Sequence, residues 1–246
     1  MLIIDFDRQL TFFAPGKCGS TALGFNLQEL STSPDQFFRA QRLKLISSNP
    51  IPAHIQELFE NKEYYYSLPI ADSYLMYRNL YKQPNFTHYV FYRDPVDRII
   101  SAFETLVYWY CKDKWTMYHN NETTLDELWE TAQKLTDYDY HAGHYLTKIK
   151  NLQAKFTHIS EINNVLKEHY NIQATHIPSV PLWTNGIDVD AVSHTHFTRE
   201  SDIDLWDKTQ LEMNRFRSDC AVKYSALLKN DKLEAEIKVY NSLDTV

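Results

Sequence analysis

Apolar positions fall into short runs whose spacing alternates between strand-like and helix-like along the chain. The run LTFFA over residues 10–14 predicts a buried strand, and from Ser20 onward Leu23, Leu27 and Leu30 recur at helical intervals. EYYYSL (63–68) and THYVFYR (87–93) predict two more strands through their aromatic and β-branched content. Ile99, Phe103, Leu106 and Tyr110 then form a helical stripe. Thr124 and Glu127 have the spacing of a capping box, with Leu125, Leu128, Trp129 and Ala132 supporting a helix behind it. KFTHIS (155–160) reads as another strand, with Ser160 expected to cap a helix carrying Ile162, Val165 and Leu166. Phe216, Cys220, Tyr224 and Leu227 share one face of a late helix.

Strands that alternate with helices predict an α/β fold, a central and mainly parallel sheet flanked by helices. Such sheets bind ligands at the carboxyl ends of their strands. No repeat, low-complexity tract or Gly/Ser linker interrupts the pattern, so a single domain over residues 1–246 is expected.

Charge narrows the ligand. The net charge of −7 over 246 residues argues against a general polyanion or nucleic-acid binder, so any anion site must be local. Three widely spaced cysteines, Cys18, Cys111 and Cys220, suggest free, buried or half-buried thiols and a reducing compartment. No apolar run reaches the roughly 18 residues of a membrane span, and the opening MLIIDFDRQL carries two aspartates where a targeting signal would be basic. A cytoplasmic location, with no membrane segment in this chain, is the expectation.

The first strand and helix are joined by APGKCGST (14–21), which places two of the chain's five glycines around one lysine. A helix N-terminus offers unpaired N–H groups and the positive end of a dipole, the elements of an anion cradle. The backbone N–H groups of Cys18, Gly19, Ser20, Thr21 and Ala22 are candidates to point into it, with Gly16 and Gly19 permitting torsions and close approach that a side chain would block. Lys17 brings a full charge, and Ser20 and Thr21 bring hydroxyls. A Walker A loop is excluded as its simplest form: aligning Gly16-Lys17 leaves Thr11 where the first glycine belongs and Cys18 where the magnesium-binding hydroxyl belongs.

The order Lys-x-Gly-Ser-Thr resembles the 5′-phosphosulfate loop of sulfotransferases that use 3′-phosphoadenosine 5′-phosphosulfate (PAPS). A second stretch, YVFYRDPVDRIISAF (89–103), is similar to the family's 3′-phosphate motif, in which an arginine ends a strand and a serine follows eight residues later on a helix. Arg93 and Ser101 hold those positions. Guanidinium is a planar fork suited to a terminal phosphate, and Asp94-Pro95 suits a helix start. DYHAGHYLTKIKNLQAKFTHISEINNVL (139–166) is similar to a segment of the carbohydrate, membrane-type branch. One departure stands out: the family's loop has proline directly before its lysine, whereas Gly16 intervenes here.

The resemblance implies a P-loop-like nucleotide-binding architecture, PAPS as co-substrate with no metal, and a hydroxyl-bearing acceptor such as a glycan. It assigns Lys17 to the leaving-group contact and Arg93 with Ser101 to the 3′-phosphate. A general base is expected in YSLPIADSY (66–74), where Asp72 is the only carboxylate; His54, Glu60 and Glu63 are alternatives. His141 and His144 could share a helix face but lack a third ligand of zinc spacing, and His194 and His196 would point to opposite faces of a strand, so no metal site is expected. A P-loop-like small-molecule kinase and a non-catalytic nucleotide-binding protein are the rival readings. The aromatic segment 105–118 could stack on sugar faces or pack a core.

Overall fold

The computed structural model describes residues 2–27, 43–49, 85–135, 143–172, 211–223 and 231–243. The expected strand at 63–68, together with Leu30, Tyr224 and Leu227, lies outside them. Five strands, β1 (Leu2–Asp5), β2 (Leu10–Phe13), β3 (Leu43–Ile46), β4 (Thr87–Tyr92) and β5 (Lys155–His158), form one sheet in the order β3-β1-β2-β4-β5. β1 and β2 run antiparallel, while β1/β3, β2/β4 and β4/β5 are parallel. The sheet is therefore mixed and mostly parallel, an α/β fold.

The antiparallel pair comes from a tight turn after β1. The Asp5 carboxylate is fully buried and accepts the Arg8 backbone N–H at 2.9 Å and the Tyr170 hydroxyl at 2.8 Å. Gln9, at φ 54°, turns the chain back into β2.

Helices α1 (Ser20–Asn26), α2 (Pro95–Tyr110), α3 (Lys112–His119), α4 (Leu125–Gln133), α5 (Leu146–Ile149), α6 (Ile162–Tyr170), α7 (residues 211–223) and α8 (Asp231–Leu243) complete the described residues. Alternate strand residues point to opposite faces. Ile3, Phe12, Tyr89 and Phe91 pack with Leu23 of α1, with Leu27 just after it, and with Ile162, Val165 and Leu166 of α6. Leu2, Ile4, Phe13, Val90 and Tyr92 face the other way, toward Leu146 and Ile149 of α5 and Val239 of α8. Covered on both faces, β1, β2 and β4 read as continuous apolar runs rather than alternating ones. A third cluster joins α2, α3, α4 and α7 through Phe103, Leu106, Trp115, Leu128 and Phe216.

Local signals set the helix starts. Asp94 Oδ1 accepts the N–H groups of Val96 and Asp97, each at 2.9 Å, and Pro95 opens α2. At α4 the capping box forms as expected: Thr124 Oγ1 accepts the Glu127 N–H, and Glu127 Oε2 accepts the Thr124 N–H.

Two expectations are corrected. Ser160 does not cap α6: it sits in a 3-10 turn (Ile159–Glu161), where its own N–H is capped by His158 Nδ1 at 3.3 Å. Tyr110 is half-exposed at the end of α2 rather than part of the buried stripe. Cys18 and Cys220 are buried, Cys111 is partly buried, and all three are free thiols.

Candidate active site

β2 and β4 are adjacent and parallel, with Phe13 opposite Val90, so the loops that follow them leave the same edge of the sheet. One loop carries Lys17 and the other begins at Arg93. This is the edge at which an open α/β sheet presents ligands.

In the first loop the Cys18 N–H donates to the Pro15 carbonyl at 3.0 Å, and the Gly19 carbonyl accepts the Leu23 N–H at 3.0 Å. Gly19 therefore stands at the entry to α1, with Ser20, Thr21 and Ala22 in its first turn, where backbone N–H groups have no intrahelical acceptor. The left-handed conformations fall on Lys17 (φ 65°) and Gly19 (φ 80°). This corrects part of the expectation: Lys17, not Gly16, takes the unusual torsion, and the Cys18 N–H is already engaged within the loop. A non-glycine residue in this region is uncommon and its cost clusters at functional sites.

Gly19 is needed for two reasons. Its positive φ disfavours a side chain, and a Cβ there would lie 2.3 Å from Cδ1 of the buried Ile162. Gly19→Ala is expected to cost on the order of 1–2 kcal/mol from the left-handed torsion alone, with displacement of Ile162 adding to it. Thermal melting should therefore show a clearly lowered Tm.

The Lys17 ammonium turns onto α2, donating to Thr105 Oγ1 at 2.5 Å, and Thr105 in turn donates to the Ser101 carbonyl at 3.0 Å. Burial pushes the Lys17 pKa down; the Glu104 carboxylate opposes this, while Arg93 and Arg217 push it further down and Cys18 opposes. Lys17 thus shares its surroundings with two arginines and one carboxylate. Ser101 is buried on the same helix. Arg93 is partly exposed, and its Nη2 lies 3.9 Å from Oδ2 of the exposed Asp97, an ion pair of little energetic weight.

The Cys18 side chain points the other way. Its Sγ lies 2.9 Å from the Tyr145 hydroxyl in the core, and burial pushes the thiol pKa up. Arg98, which neighbours the motif in sequence, is also buried: its Nη2 donates to the Gly143 carbonyl at 2.7 Å and its guanidinium lies over the Tyr145 ring. It ties α2 to the segment before α5.

Sequence reasoning passed over Glu104, Thr105 and Arg217. Glu104 and Thr105 lie three and four residues after Ser101, which places them on one helix face. Arg217 comes from α7, and its Nη2 donates to Glu104 Oε1 at 3.0 Å with Nε donating to Oε2. Nothing local to Arg217 marks that partnership.

Asp72, His54, Glu60, Glu63, His141, His194 and His196 lie outside the described residues. His144 Nδ1 is buried without a hydrogen-bond partner, and burial lowers its pKa. Among the described residues no group of three His, Cys, Asp or Glu side chains is placed to hold a metal. In segment 105–118, Trp115 and Tyr118 are core residues and Tyr110 is exposed.

A strand-loop-helix that carries a part-buried lysine and a neighbouring parallel strand followed directly by an arginine share one edge of an α/β sheet. The model of the Sulfotransferase family matches residues 1–245, and the chain belongs to that family. It is accordingly a transferase of sulfuryl groups. No curated protein and no solved structure matched the chain. Among the described residues no helix is long and apolar enough to cross a membrane.

Proposed function

We propose that the protein transfers a sulfuryl group from PAPS to an acceptor hydroxyl on a carbohydrate, releasing adenosine 3′,5′-bisphosphate. In that reaction the bond between sulfur and the 5′-phosphate oxygen breaks, a bond to the acceptor oxygen forms, and the acceptor proton passes to a base. Asp72 is our candidate for that base. PAPS supplies the activated sulfuryl group; the chain supplies charge and position.

The observation that carries this reading is the meeting of Lys17 with α2, the helix of Ser101, at the edge where Arg93 follows β4. Lys17 is suited to the charge that develops on the leaving phosphate, and positioned donors of this kind lower barriers strongly. Ser20, Thr21 and Ala22, with Gly16 and Gly19 shaping the loop, are suited to the 5′ end of the donor; Arg93 and Ser101 are suited to the 3′-phosphate. The side chain of Cys18 packs inward against Tyr145, and a thiol at this position leaves the magnesium-hydroxyl place of a kinase loop without an oxygen. That weighs against the kinase reading. The likeness of residues 139–166 to the carbohydrate branch supports a sugar acceptor, the uninterrupted pattern supports a single domain, and the three free thiols support a cytoplasmic setting.

Thermal unfolding with two nucleotides tests it. Adenosine 3′,5′-bisphosphate at about 100 times its Kd should stabilise the protein by about 2.7 kcal/mol and raise Tm, while ATP with magnesium at equal concentration should do little. The reverse order would favour the kinase. Sulfate transfer from labelled PAPS to a panel of glycans, lipids and small alcohols then identifies the acceptor.

A further inference from the structure

Beside Lys17 and Ser101 lies a carboxylate that the sulfuryl-transfer reading does not use. Glu104 is 4% exposed and sits on the α2 face that also presents Ser101 and Thr105. Its two oxygens accept Nε and Nη2 of Arg217, a bidentate pair reaching across 113 residues of sequence. The adjacent residue, Thr105, receives the Lys17 ammonium. Arg217 also feels Asp97, seven residues before Glu104. Ser101 lies between those carboxylates in sequence, four residues after one and three before the other, and it shares the helix face of Glu104, which holds the guanidinium.

A buried carboxylate at an anion site is unfavourable unless it does something there, since it repels the ligand and costs desolvation. We infer that Glu104 is a positioning residue of this pocket: its carboxylate clamps Arg217 against α2 beside Ser101 and supplies the counter-charge of Lys17. The geometry stands by itself; its consequence for donor binding rests on the proposed function. The titratable groups whose charge bears on the Lys17 ammonium are Glu104 from α2, Arg93 after β4, Arg217 from α7 and, least of all, the core-facing thiol of Cys18. Of these, Glu104 is the strongest influence that keeps the ammonium charged.

The test reads Lys17 directly. Acetic anhydride labelling over a pH series, with the Lys17 peptide followed by mass spectrometry, gives the midpoint at which its amine becomes reactive. Glu104→Gln should move that midpoint down, making Lys17 several-fold more reactive at a fixed pH below it. Arg217→Met, which removes a cation and frees the carboxylate, should move it up. Mere loosening of the pocket would hydrate Lys17 and move it up in both variants. An unchanged or upward midpoint in Glu104→Gln therefore overturns the inference; should that variant fail to fold, an unchanged midpoint in Arg217→Met does so instead.

Calorimetry with adenosine 3′,5′-bisphosphate adds the functional arm. Glu104→Gln should bind it on the order of tenfold more weakly at a pH above its own Lys17 midpoint. Tighter binding would mark the carboxylate as simple repulsion and overturn the positioning role. If the unaltered protein binds none, the donor reading falls, and the labelling midpoints still decide the role of Glu104.

Discussion

Lys17→Ala should lower the rate of the proposed sulfuryl transfer about 100- to 1,000-fold, the usual cost of removing one donor aimed at developing transition-state charge, and should leave the protein folded. Both parts follow from where the ammonium lies. Burial disfavours its charged form, so the folded chain gains little stability from it, and the left-handed torsion at residue 17 is equally uncommon for alanine. The ammonium's hydrogen bond to Thr105 is lost at the same time, but Thr105 keeps its bond to the Ser101 carbonyl. Turnover measured with labelled PAPS, beside a thermal melt, separates the two parts. A variant with unaltered turnover would remove Lys17 from the chemistry.

The same burial gives binding a pH dependence of definite sign. An anion placed beside Lys17 favours its charged form, so binding draws a proton onto any lysine that has lost one. Because burial lowers the Lys17 pKa, that loss begins below the ordinary lysine range. Affinity for adenosine 3′,5′-bisphosphate should therefore fall as pH rises through the Lys17 titration. In Lys17→Ala this part of the pH dependence disappears. Calorimetry at several pH values checks both statements.

What could be read from sequence was what depends on near neighbours. The capping box at Thr124, the Asp94-Pro95 helix start and the strands β2, β4 and β5 rest on residues a few positions apart, and each formed. β1 and β3 were not anticipated. Their sequences, LIID and LKLI, lack the aromatic residues that mark β2, β4 and β5, and so short an aliphatic run does not separate a buried strand from a buried helix segment. The β1 reversal depends on Asp5 finding Tyr170 across 165 residues.

The site divides in the same way. Lys17 and Gly19, proposed for the site, stand out in sequence because an anion cradle needs a turn, a charge and a helix start in immediate succession, whereas Arg93 and Ser101 were picked out by their likeness to the family's 3′-phosphate motif. Glu104 and Thr105 were legible in principle from the helical face they share with Ser101. Arg217 was not, since only the packing of α7 on α2, through Phe216 against Phe103, brings it to Glu104. The backbone torsion at Lys17 was misplaced onto Gly16 because composition favours glycine for left-handed geometry, whereas the fold imposes it on the lysine.

Arg93→Ala should separate two ligands that differ by one phosphate. The partly exposed guanidinium spends little on Asp97, 3.9 Å away and itself exposed, so it is available to a ligand at modest cost. Charge-assisted hydrogen bonds of arginine to phosphate are among the strong ones, and those to a charged group contribute about 1.5–3 kcal/mol. At about 1.4 kcal/mol per factor of ten, Arg93→Ala should weaken adenosine 3′,5′-bisphosphate roughly ten- to 100-fold. Adenosine 5′-phosphate, lacking the group Arg93 is proposed to hold, should lose little. Arg93→Lys keeps the charge but not the fork and should fall between. Equal losses for the two nucleotides would mean that Arg93 supplies only a general positive field at the end of β4, and the 3′-phosphate would then have to be recognised by other residues.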